Sequence, residues 1–257
     1  MEAPNILVKI ENRISIITLN RPQQLNALNH QLIDDLNQEL EKIKTNKNVK
    51  SIIITGSGEK AFVAGADIKE FAKFTRKEGK SLAKDGQKKL FNFIEHIPKP
   101  IIAAINGFAL GGGLELAMAC HIRLASSNAK MGLPEVSLGV IPGYGGTQRL
   151  AQLVGKGKAI EMITTGIMID ANQAYNYRLV NNVVEAEVLI TKCKELCYQI
   201  AKNSPNAISA AIKSINAGFD SSLDGFEVEI NSFGNCFETK DFIEGTSAFL
   251  EKRKPNF

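Results

Sequence analysis

Ile101-Ile102-Ala103-Ala104-Ile105, Asn106-Gly107-Phe108-Ala109-Leu110-Gly111-Gly112-Gly113 and Leu114-Glu115-Leu116-Ala117-Met118-Ala119-Cys120 follow one another without interruption. The first five residues are an apolar run of strand length, the middle eight hold four glycines, and the last seven read as a helix. Strand, glycine loop and helix in that order predict α/β architecture with crossover connections.

The same order extends in both directions. Val49 to Thr55 reads as a buried strand that ends in Gly56-Ser57-Gly58; a glycine-rich loop through Gly65 and a polar helical region ending near Pro98 follow it. Ile122 to Ala125 reads as a further strand, followed by a Gly/Pro-punctuated segment over 132–146 and a helix near 146–154. Residues 6–19 predict a hairpin turning at Glu11-Asn12-Arg13, with Ile14, Ile16 and Thr18 on one face and Ile17 and Leu19 on the other. Leu32, Ile33, Leu36, Leu40 and Ile43 recur at helical spacing behind Asn29, a candidate N-cap. From about 188 onward strand signals fade, and helices are expected near 188–202, 206–217, 222–237 and 240–252, the last capped by Thr239. The expected division is therefore a core with the functional site over 1–187 and a helical region over 188–257. No low-complexity tract, linker or strict repeat interrupts it.

Composition bounds the function. A chain of 257 residues can bury a sizeable core, and no apolar stretch is long enough to span a bilayer. The start Met1-Glu2-Ala3-Pro4-Asn5 has neither a basic-then-apolar nor an Arg-rich character, so the expected compartment is the cytoplasm. Thirty-one basic against 27 acidic residues give a net charge of +4, spread over scattered lysines without interleaved aromatics, so nucleic acid is not an expected partner. A mildly basic surface suits an anionic ligand equally well. Cys120, Cys193, Cys197 and Cys236 lack zinc spacing, and His30, His96 and His121 stand apart, so the cysteines are expected reduced and no metal site is expected.

Two glycine loops, Phe62 to Lys69 and Asn106 to Glu115, each follow a strand and open toward a helix, where backbone N–H groups lack intrahelical acceptors. Glycines serve tight turns just as well, so they decide nothing alone. The dinucleotide fingerprint is absent, since Gly107 lies four residues before Gly111 and position 109 is Ala. Gly155-Lys156-Gly157-Lys158 fails as a phosphate loop, with Gln152 and Ala159 at two required positions. The Ser-x-x-Lys tetrads at 81–84 and 127–130 lack companion motifs. Beside the loops stand two carboxylates in apolar surroundings, Glu115 within Leu114 to Met118 and Glu135 within Gly132-Leu133-Pro134-Glu135.

At these residues the sequence resembles the crotonase (enoyl-CoA hydratase/isomerase) family. The matching blocks are Asn20-Arg21-Pro22 with Leu25 to Leu28, Ala61 to Glu70, Ile105 to Ala117, Pro134-Glu135, Leu138 to Leu150 and Ala248 to Arg253. They keep the family's order nearly end to end. The resemblance implies a crotonase-like spiral of ββα units with a C-terminal helical region that trimerises, often as a dimer of trimers. It implies that the backbone N–H groups of Ala66 and Gly112 form an oxyanion hole and that Glu115 and Glu135 are the two catalytic acids. Leu25, Ala27, Ala66, Asp67, Ile68, Lys69 and Gly112 fall where the family contacts coenzyme A, and Phe249 and Lys252 where a neighbouring subunit is reached.

Family members with other chemistries usually lose one of the acids, so possession of both implies reversible syn hydration of a 2-trans-enoyl-CoA to the 3-hydroxyacyl-CoA. No cofactor beyond the substrate's own coenzyme A is implied. An enoyl-CoA isomerase or a hydratase of branched or aromatic acyl groups is the alternative, and an RNA-binding relative a minor one. His121 departs from the family's usual aspartate and is expected neutral and packed.

Overall fold

The computed structural model describes residues 4–257, so the first three residues of the N-terminal stretch lie outside the described residues. Among the described residues ten strands form two sheets, and the connections between them carry the helices α1 (His30–Thr45), α2 (Ile68–Phe71), α3 (Arg76–Gly86), α4 (Asn92–His96), α5 (Gly112–Ala119), α6 (Gly146–Val154), α7 (Lys156–Thr165) and α8 (Ala171–Asn176). The larger runs β1 (Ile6–Glu11), β2 (Ile14–Leu19), β3 (Ser51–Gly56), β5 (Ile101–Ile105), β7 (Ile122–Ser126) and β10 (Asn182–Val184), parallel throughout except for the β1–β2 hairpin. The smaller runs β4 (Ala61–Ala64), β6 (Phe108–Leu110), β8 (Lys130–Gly132) and β9 (Ile169–Asp170). Successive pairs β3–β4, β5–β6 and β7–β8 thus place one strand in each sheet, which makes the ββα spiral.

The hairpin turns at Asn12 and Arg13, whose φ of 47° and 67° match the primed turn that suits strand twist. Ile17 and Leu19 enter the main core between the sheets, while Ile14 and Ile16 pack into a second cluster on the opposite face. The period-two expectation for this strand is met. Asn29 caps α1 (His30–Thr45) by accepting from Leu32 N at 2.9 Å, and all five helical-spacing residues of that helix are buried. Burying each of its leucines contributes roughly 2 kcal/mol.

The second cluster is closed by α9 (Leu189–Ile200), whose Leu189, Cys193 and Cys197 meet Ile53, Ile102 and Leu124 of the large sheet. All four cysteines are free thiols. The C-terminal helices α10 (Pro205–Ala217), α11 (Gly225–Cys236) and α12 (Lys240–Leu250) fall where helical spacing placed them, with Thr239 accepting from Phe242 N at 3.1 Å. Among the described residues no helix is long and apolar enough to cross a membrane. His121 accepts from Ile101 N through Nδ1 and donates through Nε2 to Glu95 O; burial pushes its pKa down to about 4, so it is neutral and packed.

The small sheet corrects the reading of 61–64 and 108–110 as loop and adds a strand at 130–132, which the sequence reading passed over. The three segments are strands of three or four residues, too short for alternation to emerge.

Candidate active site

The small sheet aligns three chain exits in one row. Ala64 pairs with Leu110, and Leu110 with Gly132, all parallel. Two residues beyond each row position stand Ala66, Gly112 and Pro134, the last followed by Glu135. Three separate loops therefore leave one sheet edge side by side, which is why residues 69 positions apart in sequence share a cleft.

The first exit is stitched to segment 25–28. Ala64 N donates to Leu25 O at 3.0 Å, Leu28 N to Gly65 O at 2.9 Å and Asp67 N to Leu28 O at 2.7 Å. The Ala66 amide is passed over and has no acceptor among the described residues. Leu25 and Asn26 hold φ of 50° and 58°, secured by Asn26, whose Nδ2 donates to Ser57 O and Ala61 O. Arg21 links Ala27 O to Asp67, 3.2 Å away. Leu25, Ala27 and the 66–69 segment are thus drawn together, with Leu25, Ile68 and Lys69 exposed. Phe249 and Lys252 sit on the surface at the far end of the chain and do not line this cleft.

At the second exit Gly111 has φ 51°, a conformation that favours glycine, and a Cβ there would lie 2.9 Å from Glu135 Oε1. Gly112 opens α5 (Gly112–Ala119), so its N–H has no intrahelical partner, and no other acceptor is found among the described residues. Two free amides from different loops thus border one cleft of about 1020 Å³, joined by Glu115 and Glu135.

Glu115 lies in the first turn of α5, a helix buried on every side, and is 1% exposed. Its Oε1 accepts from Tyr144 N and Gly146 N, both at 2.7 Å. Burial pushes its pKa up to about 7; the Glu135 charge adds to the rise, and the two amides and Arg149 oppose it. Glu135 begins a short 3₁₀ turn, Glu135–Leu138, after Pro134. Its Oε2 is buried without a hydrogen-bond partner among the described residues, and burial raises its pKa above the ordinary carboxylate value. One cleft therefore holds two carboxyls whose burial favours their protonated forms, beside two amides without acceptors among the described residues.

The pH dependence of stability follows from Glu115. Between the unfolded value of 4.5 and the folded value of about 7, the folded chain binds a proton that the unfolded chain releases, so stability falls as pH rises through that window. The full loss is about 3 kcal/mol. Glu115→Gln keeps the Oε1 acceptor and has nothing to ionise. Thermal melts are expected to show it more stable than the wild type at about pH 8, with the gap closing toward about pH 5.

Sequence reasoning missed the support around Glu115. Tyr144 and Gly146 act through backbone N–H groups, and Arg149, buried and paired with Glu95 at 2.7 Å, holds Tyr144 O at 2.9 Å. The only available signal was the glycine run 143–146, which marks a turn but not what the turn holds.

Comparison with known proteins agrees with this geometry. Residues 9–257 match the family model described as enoyl-CoA hydratase/isomerase. The chain is 44% identical to the short-chain-enoyl-CoA hydratase of Clostridium acetobutylicum, over 99% of this chain and 97% of that protein. It is 43% identical to the crotonyl-CoA hydratase of Syntrophomonas wolfei, over 100% and 99%. The crystal structure of an enoyl-CoA hydratase from Bacillus anthracis superposes with a TM-score of 0.92 at 41% identity, covering 99% of each chain.

Proposed function

Because this chain belongs to the enoyl-CoA hydratase/isomerase family, we propose that the cleft carries out the reversible syn hydration of 2-trans-enoyl-CoA thioesters to 3-hydroxyacyl-CoA. The enzyme is a hydro-lyase. The observation that carries the reaction type is the pair of buried carboxyls with raised pKa beside two amides that lack acceptors.

As water adds to C3 of the conjugated thioester, negative charge moves onto the carbonyl oxygen. The N–H groups of Ala66 and Gly112 receive that charge without reorganising. Glu135, whose burial raises its pKa, gives its proton to C2, and Glu115 orients the water and takes up its proton. Water and proton delivered by this pair to one side of the double bond give the syn product. The two acids exchange roles in the reverse direction, and the coupled pair titrates as a unit. Addition of water is redox-neutral, so the reaction balances with the substrate's coenzyme A as the only cofactor.

The coenzyme A portion lies along Leu25, Ala27 and Asp67 to Lys69, where the exposed Lys69 ammonium meets phosphate. Crotonyl-CoA assayed by loss of the conjugated-thioester absorbance, beside 3-enoyl and branched 2-enoyl esters, tests the assignment. Conversion of the 3-enoyl ester alone would make the enzyme an isomerase.

We further read the chain as a cytoplasmic homo-oligomer, a trimer or a dimer of trimers, joined through the 188–257 region. Its support is a row of exposed aromatics and aliphatics on α10–α12, with Phe226 81% and Phe249 82% exposed. Phe249 and Lys252 then reach a neighbour's coenzyme A. Sedimentation equilibrium is expected to give a mass of three or six chains, and a monomer at micromolar concentration would contradict it.

A further inference from the structure

Segment 86–95 grips segment 143–149 at several independent points. Gln87 Nε2 donates to Gly143 O at 2.7 Å. The Phe91 ring stacks on Tyr144 with centroids 4.6 Å apart and planes 13° apart. Arg149 Nη2 donates to Asn92 Oδ1 at 2.9 Å and to Glu95 Oε2 at 2.7 Å. The Tyr144 ring also lies against Gly86, where a Cβ would come within 2.3 Å of its Cε1. Gln87 opens a single π turn, Gln87–Phe91, closed by Asn92 N donating to Gln87 O. Such turns weaken helical hydrogen bonding and persist chiefly where their altered facing is used.

Gly143 C=O and Tyr144 N–H are two edges of one planar peptide unit. Gln87 holds one edge, and the other donates to Glu115 Oε1 at 2.7 Å. The unit is bordered by Gly143, with Gly145 and Gly146 just beyond, so little steric resistance opposes its rotation. Bonding at the carbonyl also polarises the N–H and strengthens its donation. Arg149 steadies the following unit through Tyr144 O, leaving Gln87 as the side chain on the unit that faces the carboxyl.

We propose that Gln87 is a positioning residue for Glu115: by fixing the Gly143–Tyr144 peptide it sets the direction of the carboxyl and how firmly its anion is held. The role rests on the hydration chemistry proposed above only for its kinetic consequence. The other titratable groups facing Glu115 are Glu135, Tyr144 and Arg149, the last paired with Glu95 of α4 (Asn92–His96), and substitution at 87 leaves all of them in place.

The test uses Gln87→Met, which keeps length and loses the donor, and Gln87→Asn, which keeps polarity but withdraws the amide by one methylene. The Glu115 carboxyl resonance, assigned by its disappearance in Glu115→Gln, is titrated by carbon-13 NMR in the full-length protein. Its midpoint is expected to rise by about half to one pH unit in both variants. The kcat for crotonyl-CoA is expected to fall about ten- to a hundredfold, with KM moving less. A wild-type midpoint in both variants overturns the role, even if their melting temperatures drop. A wild type that does not hydrate crotonyl-CoA, but whose Glu115 midpoint rises on substitution at 87, sinks the proposed function and leaves the positioning role standing.

Discussion

Glu135→Gln is expected to lower kcat for crotonyl-CoA hydration by about 10²- to 10⁴-fold, the contribution of a positioned general acid. The substitution is nearly isosteric, and the side chain replaced makes no hydrogen bond through its buried Oε2. The buried Oε2 has no partner to lose, so the fold and the affinity for the product thioester are expected to be retained. What disappears is the proton for C2. Burial raises the Glu135 pKa above the ordinary carboxylate value and so favours the form that carries this proton. Steady-state kinetics beside a binding titration separate these effects. A variant that binds and turns over like wild type removes Glu135 from the chemistry and returns the C2 proton to Glu115.

The second large effect is expected from Gly112→Pro, which deletes one amide hydrogen. Proline is well tolerated at the first helical position, where the missing N–H has no helical partner, and Gly112 occupies that position in α5. The preceding Gly111 has no Cβ to clash with the proline ring, which relaxes the usual restriction before proline. The nearest atom to a new Cβ, Leu28 Cδ1 at 3.3 Å, is the tip of a side chain. The fold is therefore expected to survive while kcat falls about 10²- to 10³-fold, the cost of one oxyanion donor. Gly112→Ala is the control: it retains the N–H and meets the same Leu28 contact, so a loss as large as that of the proline variant would point to crowding instead.

The parts of this structure legible in the sequence are those where side chains carry the instruction. The large sheet announces itself through Ile52 to Ile54 and Ile101 to Ile105, and α1 through five residues at helical spacing. The small sheet does not, because Phe108-Ala109-Leu110 and Lys130-Met131-Gly132 are too short to display a period and are held by neighbours distant in sequence. Glu115 and Glu135 stood out as charges in apolar surroundings. Tyr144, Gly146 and Gly143 act through main-chain atoms that every residue possesses, so no residue type advertises their role. Gln87 is legible only once its acceptor is known, since a glutamine on a polar helix ordinarily faces solvent.

The alignment of Ala64, Leu110 and Gly132 in one row bears on how such an enzyme diversifies. Successive turns of the coil bring different groups to a common rim: one amide, then another amide with an acid, then the second acid. An alteration in the third turn's outlet can exchange the proton donor without disturbing the pair of charge acceptors supplied by the earlier turns. The proton donor assigned to Glu135 thus leaves the sheet on a different stretch of chain from the two amides.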